Sequence, residues 1–194
     1  MNNNRVLLVV FVLVALAQLY IPAKMIWDKE EIIEIGQTYK FKTAPIDPTD
    51  PFRGKYITLS FIDTRFKVTD GTKWTNGEEI YLSFNTDSLG YANIQSISKN
   101  PFDNNGNYLK AKVRYASSVE QTTLLIDYPF DRYYMEESKA YRAEVMYRES
   151  QRDTSTTTYA LVKIKNGESV LEDVMINGIP IREVVKSHDE NSGE

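Results

Sequence analysis

Two short stretches concentrate the residue types that recognise charge. The first is Asp47-Pro48-Thr49-Asp50-Pro51-Phe52-Arg53-Gly54-Lys55-Tyr56, and the second is Asp127-Tyr128-Pro129-Phe130-Asp131-Arg132-Tyr133-Tyr134-Met135-Glu136-Glu137. Aspartates placed before prolines accept hydrogen bonds from the turn that follows. An arginine beside them presents a planar fork of donors that matches a carboxylate. Asp47, Asp50, Arg53, Tyr56, Asp131, Arg132, Tyr133 and Glu136 are therefore the candidate binding residues. Arg53 and Arg132 are expected to anchor one polar cluster, with Asp47, Asp50, Asp131 and Glu136 as partners. The cluster reads first as a brace for the loops and second as a recognition site at the mouth of a sheet. Asp131 and Glu136 could in principle divide acid and base roles, but a chain with 27 acidic residues offers many such pairs, so the pairing selects nothing.

Other chemistries lack their residues. There is no cysteine, which removes thiol nucleophiles, thiolate metal sites and disulfides. The single histidine, His188, lies in a polar, acidic stretch at residues 187–194, so neither a Ser-His-Asp triad nor a multi-histidine metal site can be built. No serine stands in a nucleophile-elbow context, while the many serines and lysines leave a Ser-Lys dyad open. No catalytic residue, metal or cofactor is assigned. A net charge of -4, a pI near 5.2 and the lack of a basic stripe point away from nucleic acid.

The elements that must position these residues are mostly strands. Alternation marks strands at residues 37–43, 55–63, 79–85, 91–98, 108–115 and 122–128. Residues 156–165 and 168–176 flank Asn166-Gly167, a strong two-residue hairpin signal. Asn177-Gly178 turns into a last extended piece at 179–185. Residues 129–137 are irregular or open a short helix reaching Arg148. The two hairpins around Gly90 and Gly167 resemble each other, either as an old duplication or as hairpins generally do. The expected fold is a mainly β, antiparallel-sheet domain preceded by one N-terminal transmembrane helix. Its parts are an anchor and linker at 1–29, a β-rich domain at 30–186 and a disordered tail at 187–194. A domain of that size buries enough surface to fold without staples.

Residues 6–20 are apolar except for Gln18. Continuing through Pro22 to Trp27 gives a full bilayer span, because proline is tolerated in membrane helices. Lys24 can snorkel, and Tyr20 and Trp27 suit the interface. Ala15-Leu16-Ala17 also has the small-x-small form of a cleavage site, so a signal peptide cut before Gln18 is the alternative, and a buried helix of a soluble protein is a third reading. The anchor is preferred because apolar character resumes after Gln18. Anchor and signal peptide both place the domain outside the cytoplasm. Arg5 before the span and Lys24 and Lys29 after it leave orientation undecided by charge alone.

The run Gly54-Lys55-Tyr56-Ile57-Thr58-Leu59-Ser60-Phe61 resembles the signature of the bacterial GDYXXLXY proteins, and Asp47 to Arg53 precede it as in that family. Phe130 to Glu137 resemble the family's second block, an Arg-Tyr-Tyr/Phe-x-x-Glu, and the closing hairpin fits as well. Lys55 stands for the signature's aspartate and Phe61 for its last tyrosine, which puts in doubt any chemistry needing a carboxylate at 55. The resemblance covers nearly the whole chain. It implies a membrane-anchored protein of the bacterial envelope, a companion of multi-spanning membrane proteins, and it carries over no catalytic residue. The reading adopted is a membrane-tethered, extracytoplasmic interaction module in the cytoplasmic membrane that docks on an integral membrane partner. A carboxylate-dependent envelope hydrolase and a small-ligand or carbohydrate binder are the alternatives.

Overall fold

A computed structural model describes residues 3–45, 56–69, 71, 73–103, 106–117, 122–153 and 155–191. The chain opens with helix α1, Asn3–Ile35, about 50 Å long at 1.5 Å per residue. Residues from Val6 onward are apolar enough to cross a membrane, and none of the most apolar stretch is buried by protein. The helix then passes straight into the domain. Ile32 is buried, Lys29 reaches Glu168 at 2.6 Å, and Lys165 reaches Glu31 at 2.6 Å. Gly36 stops the helix, its amide donating to the Ile32 carbonyl at 2.9 Å. A Cβ there would meet that carbonyl oxygen at 2.4 Å, so only glycine turns this corner.

Beyond Gly36 come β1 (Gln37–Ala44), β2 (Tyr56–Thr58), β3 (Ser60–Phe61), β4 (Arg65–Val68), β5 (Glu79–Thr86), β6 (Ala92–Ser98), β7 (Leu109–Ser117), β8 (Thr122–Asp127) and β9 (Arg132–Tyr134). Helix α2 (Glu137–Arg152), β10 (Thr158–Lys165), β11 (Glu168–Ile176), β12 (Ile179–Pro180) and helix α3 (Ile181–Asn191) complete the chain. The strands form two five-stranded antiparallel sheets, ordered β12-β11-β10-β1-β3 and β4-β8-β7-β5-β6, and one antiparallel ribbon, β2-β9. The fold is therefore mainly β, with antiparallel sheets and one long apolar N-terminal helix.

Period-two alternation supplies the inner faces. Tyr39, Phe41 and Thr43 of β1 are buried beside Ala160, Val162 and Ile164 of β10. Ile80, Leu82 and Phe84 of β5, Leu109, Ala111 and Val113 of β7, and Leu124 and Ile126 of β8 come from the other sheet. All but Thr43, whose hydroxyl donates to the Thr158 carbonyl at 2.9 Å, belong to one hydrophobic core. Phe41 sits at its centre, with ring centroids of Phe84, Tyr128, Phe130 and Phe61 at 5.2, 5.4, 5.0 and 6.0 Å. Helix α2 packs Ala140, Ala143, Tyr147 and Ser150 inward at helical spacing and lies against α3, β2 and β10.

Three expectations are corrected here. The strand anticipated at 55–63 keeps its alternation, with Ile57, Leu59 and Phe61 buried, but breaks at Leu59. Its first half pairs with β9 and its second half with β1. The short β4 was not anticipated and pairs with β8. The extended piece anticipated at 179–185 is a two-residue strand followed by α3, which also takes in residues 187–191 where a disordered tail was expected. Ile181, Val184 and Val185 have helical spacing, and α3 starts directly after Pro180 of β12.

Candidate functional site

The ribbon β2-β9 brings the two motif stretches together. Tyr56 pairs with Tyr134, Ile57 with Tyr133, and Thr58 with Arg132. Leu59 then donates its amide to the Asp131 carbonyl at 2.8 Å. Alternation along β9 sends Tyr133 inward and leaves Arg132 and Tyr134 outside. On the outer face the Arg132 guanidinium lies 5.1 Å from the centre of the Tyr56 ring, and Tyr56 and Tyr134 pack at 5.3 Å. Tyr134, then Tyr56 and Asp131, hold the Arg132 guanidinium above its ordinary pKa. Arg132 and Asp131 are 3.9 Å apart and about half exposed, a contact that solvent screens heavily. The Arg132 guanidinium thus stands on the exposed face, stacked on Tyr56 and hydrogen-bonded to Tyr134.

The remaining candidates separate. Glu136 precedes α2, gives it no side-chain cap, and pairs with Lys139 at 2.5 Å. That contact, followed by the Lys139 charge, holds its carboxyl below the usual range. Asp47, Asp50 and Arg53 lie outside the described residues, so the joint cluster of Arg53 and Arg132 is described only on its Arg132 side. Arg132 is a surface arginine there.

The buried ionic group is one that the sequence reading missed. Asp173 is 5% exposed. Its Oδ1 accepts the Tyr133 hydroxyl at 2.8 Å and its own neighbour's amide, from Val174, at 2.8 Å. Its Oδ2 accepts Arg182 through Nη2 at 2.6 Å and Nε at 3.1 Å. Burial, then the bond to Asp173, raises the Tyr133 hydroxyl pKa well beyond its usual value. Tyr133 of the candidate set is thus a brace. It ties the back of the ribbon to β11 and, through Arg182, to α3. The signal that hides Asp173 is a bulge. Leu161 faces Asp173 but Val162 faces Leu171, so Glu172 is the extra residue and the alternation of β11 shifts there.

A groove of about 480 Å³ opens at the base of α1, walled by Lys29, Glu79, Lys110, Lys112, Asp127 and Glu168. Its charges answer one another. Lys29 pairs with Glu168, Lys110 pairs with Glu79 at 2.9 Å, and Lys110 holds the Glu79 carboxyl below its ordinary pKa. Among the described residues no group of three or more His, Asp or Glu side chains is placed to hold a metal ion.

The ribbon joins a Tyr-x-x-Leu-x-Phe run to an Asp-Arg-Tyr-Tyr run, and a family model described as GDYXXLXY protein matches residues 18–174. The chain belongs to that family. No curated protein and no solved structure matches it. The GDYXXLXY signature here has two structural roles. Tyr56 carries the outer, aromatic face under Arg132, while Ile57, Leu59 and Phe61 fill the core. Phe61, in the position of the signature's last tyrosine, lies within the aromatic cluster, 5.5 Å from Tyr128 and 5.3 Å from Phe130.

Proposed function

We propose that this GDYXXLXY protein is a membrane-tethered accessory module of the bacterial envelope, in the cytoplasmic membrane with its domain on the extracytoplasmic side. It docks there on a multi-spanning integral membrane partner. The observation that carries the reading is the unbroken passage from α1 into the sheet. Ile32 is buried under the domain, and Lys29 and Glu31 pair with Glu168 and Lys165. A domain held this way keeps one face toward the membrane instead of swinging on a linker. Its most prominent exposed side chains at the ribbon are Arg132 and Tyr134, packed on half-buried Tyr56, types that carry binding energy at protein interfaces. Arginine stacked on tyrosine is already ordered, so little entropy is lost when a partner carboxylate or carbonyl meets it.

A photo-crosslinking residue at Tyr134, which is 64% exposed, tests this in living cells. The expected product is a crosslink to an integral membrane protein that is weakened by Arg132→Ala. The same crosslinker at Leu89, in the turn between β5 and β6, serves as the reference. Equal products from both positions, or none from either, would contradict docking through the ribbon.

A further inference from the structure

Within its apolar stretch α1 carries one amide, Gln18, and one proline, Pro22, four residues further on. Four residues is one helical turn, so the two share a face. Pro22 has no N–H, and the bond it would make is the one to the Gln18 carbonyl. Gln18 therefore presents a side-chain amide and, on its backbone, a carbonyl that lacks its usual partner at Pro22. The Gln18 amide makes no hydrogen bond to any described residue. If residues 6–27 cross the bilayer, as the proposed function requires, about 18 Å of helix separates Gln18 from Val6 and about 14 Å separates it from Trp27. The side chain is too short to reach water at either end, unlike a lysine stem. Hydrocarbon offers no hydrogen bonds, so these groups need a protein partner.

The surrounding face has the form of a helix pair. Phe11, Ala15, Gln18, Pro22 and Met25 recur at spacings of 4, 3, 4 and 3, the seam of a left-handed pair. Ala15, one turn before Gln18, is small enough to let another backbone come close.

We infer that α1 pairs in parallel with a second copy of itself in the bilayer, through reciprocal hydrogen bonds between the two Gln18 amides. The occupant follows from the chemistry of the amide. A primary amide both donates and accepts, so it is complementary to itself. Two copies inserted the same way place Gln18 at the same depth, which a two-fold contact requires. The inference rests on the membrane-span reading, and its test separates the two.

The chain has no cysteine, so Leu89→Cys, at an exposed turn, gives one labelling site for donor and acceptor dyes. Energy transfer is measured on the full chain in phospholipid vesicles as the protein-to-lipid ratio is varied. The parent should show transfer above that of randomly mixed monomers. Gln18→Leu, which keeps the helix apolar, should raise the ratio at half-maximal transfer about tenfold, the size expected for two interhelical hydrogen bonds. Gln18→Asn, which keeps an amide, should retain most of the transfer. Parent and Gln18→Leu curves that coincide, or a parent no different from random mixing, would overturn the pairing. Resistance of the same vesicles to carbonate extraction is read in parallel. Release of the chain by carbonate would overturn the span itself and the pairing with it, whereas a retained but monomeric chain overturns the pairing alone.

Discussion

Asp173 is the residue on which the geometry of the ribbon depends. Its carboxylate is buried, and four donors from Tyr133, Val174 and Arg182 satisfy it. Removing one of them leaves part of a charge unmet in a poorly solvated place. Tyr133→Phe should cost about 1.5–3 kcal/mol, the range for hydrogen bonds to charged groups. Arg182→Ala should cost about 2–3 kcal/mol, below the usual figure for breaking a buried pair, because the Arg182 side chain is 62% exposed and water replaces part of its effect. Arg132→Ala, on the exposed face, should lower the melting temperature far less than either. Melts of the detergent-solubilised full chain check the order, and an Arg132→Ala loss as large as that of Arg182→Ala would show that the exposed arginine is the brace. Asp63 has a different signature. Burial holds its carboxyl above the usual range, and the Ile94 amide, donating at 2.5 Å, pulls it partly back. A carboxyl raised on folding keeps its proton longer in the folded chain than in the unfolded one. Its contribution to stability is present below about pH 3.9 and is lost as pH rises through the folded value. Asp63→Asn keeps an oxygen for Ile94 and has no charge to desolvate. It should melt at or above the parent at pH 7 and lack the parent's decline above about pH 4. A variant that melts lower at pH 7 but equally at pH 4 would show that the ionised form is the stabilising one.

At the scale of elements, alternation was legible wherever one face of a strand meets the core. Tyr39 and Phe41, Ile57 and Phe61, and the Asn166-Gly167 hairpin are where their patterns place them, and Asn166 and Gly167 take the positive φ values of 50° and 86° that this turn needs. Short or interrupted elements were not legible. Val184 and Val185 are β-branched and favour a strand by propensity, but packing of Ile181 and Val185 beside β11 and α2 decides for helix α3. Asp173 pairs with Leu161, on the face of β11 opposite core-facing Val174, and β9 and α3 cover that face, so an acid that reads as solvated is buried. Of the candidate residues, Tyr56, Arg132 and Tyr133 were legible as neighbours of one another only through the pairing of β2 with β9, which joins segments some 75 residues apart and leaves no local trace. The junction at Gly36 is the element on which rigid mounting depends. Gly36→Ala places a Cβ against the Ile32 carbonyl and should cost about 1–3 kcal/mol, as forced overpacking does. Hydrogen exchange should then rise at Gln37 and Thr38 while β5 to β8 keep their protection. Unchanged exchange at those two amides would mean that the helix and β1 are not mechanically joined.

For the whole molecule, three features combine. An apolar helix stands clear of the fold, the same helix is locked into the first sheet by Ile32 and two ion pairs, and an arginine-tyrosine face is braced from behind by Asp173. Together they describe a domain joined without a linker to a helix apolar enough to span a membrane, with an arginine-tyrosine face where the two motif stretches meet. The proposed function requires this domain to stand outside the cytoplasm on an intact anchor. The absence of cysteine makes the decisive measurement clean. Leu89→Cys puts a single thiol on an exposed turn of the domain, and intact spheroplasts are treated with a membrane-impermeant maleimide. The expected result is full labelling of a membrane-bound chain of undiminished length. A thiol that reacts only after the membrane is permeabilised would contradict the account, and so would a labelled chain that is shortened at Gln18 and released from the membrane.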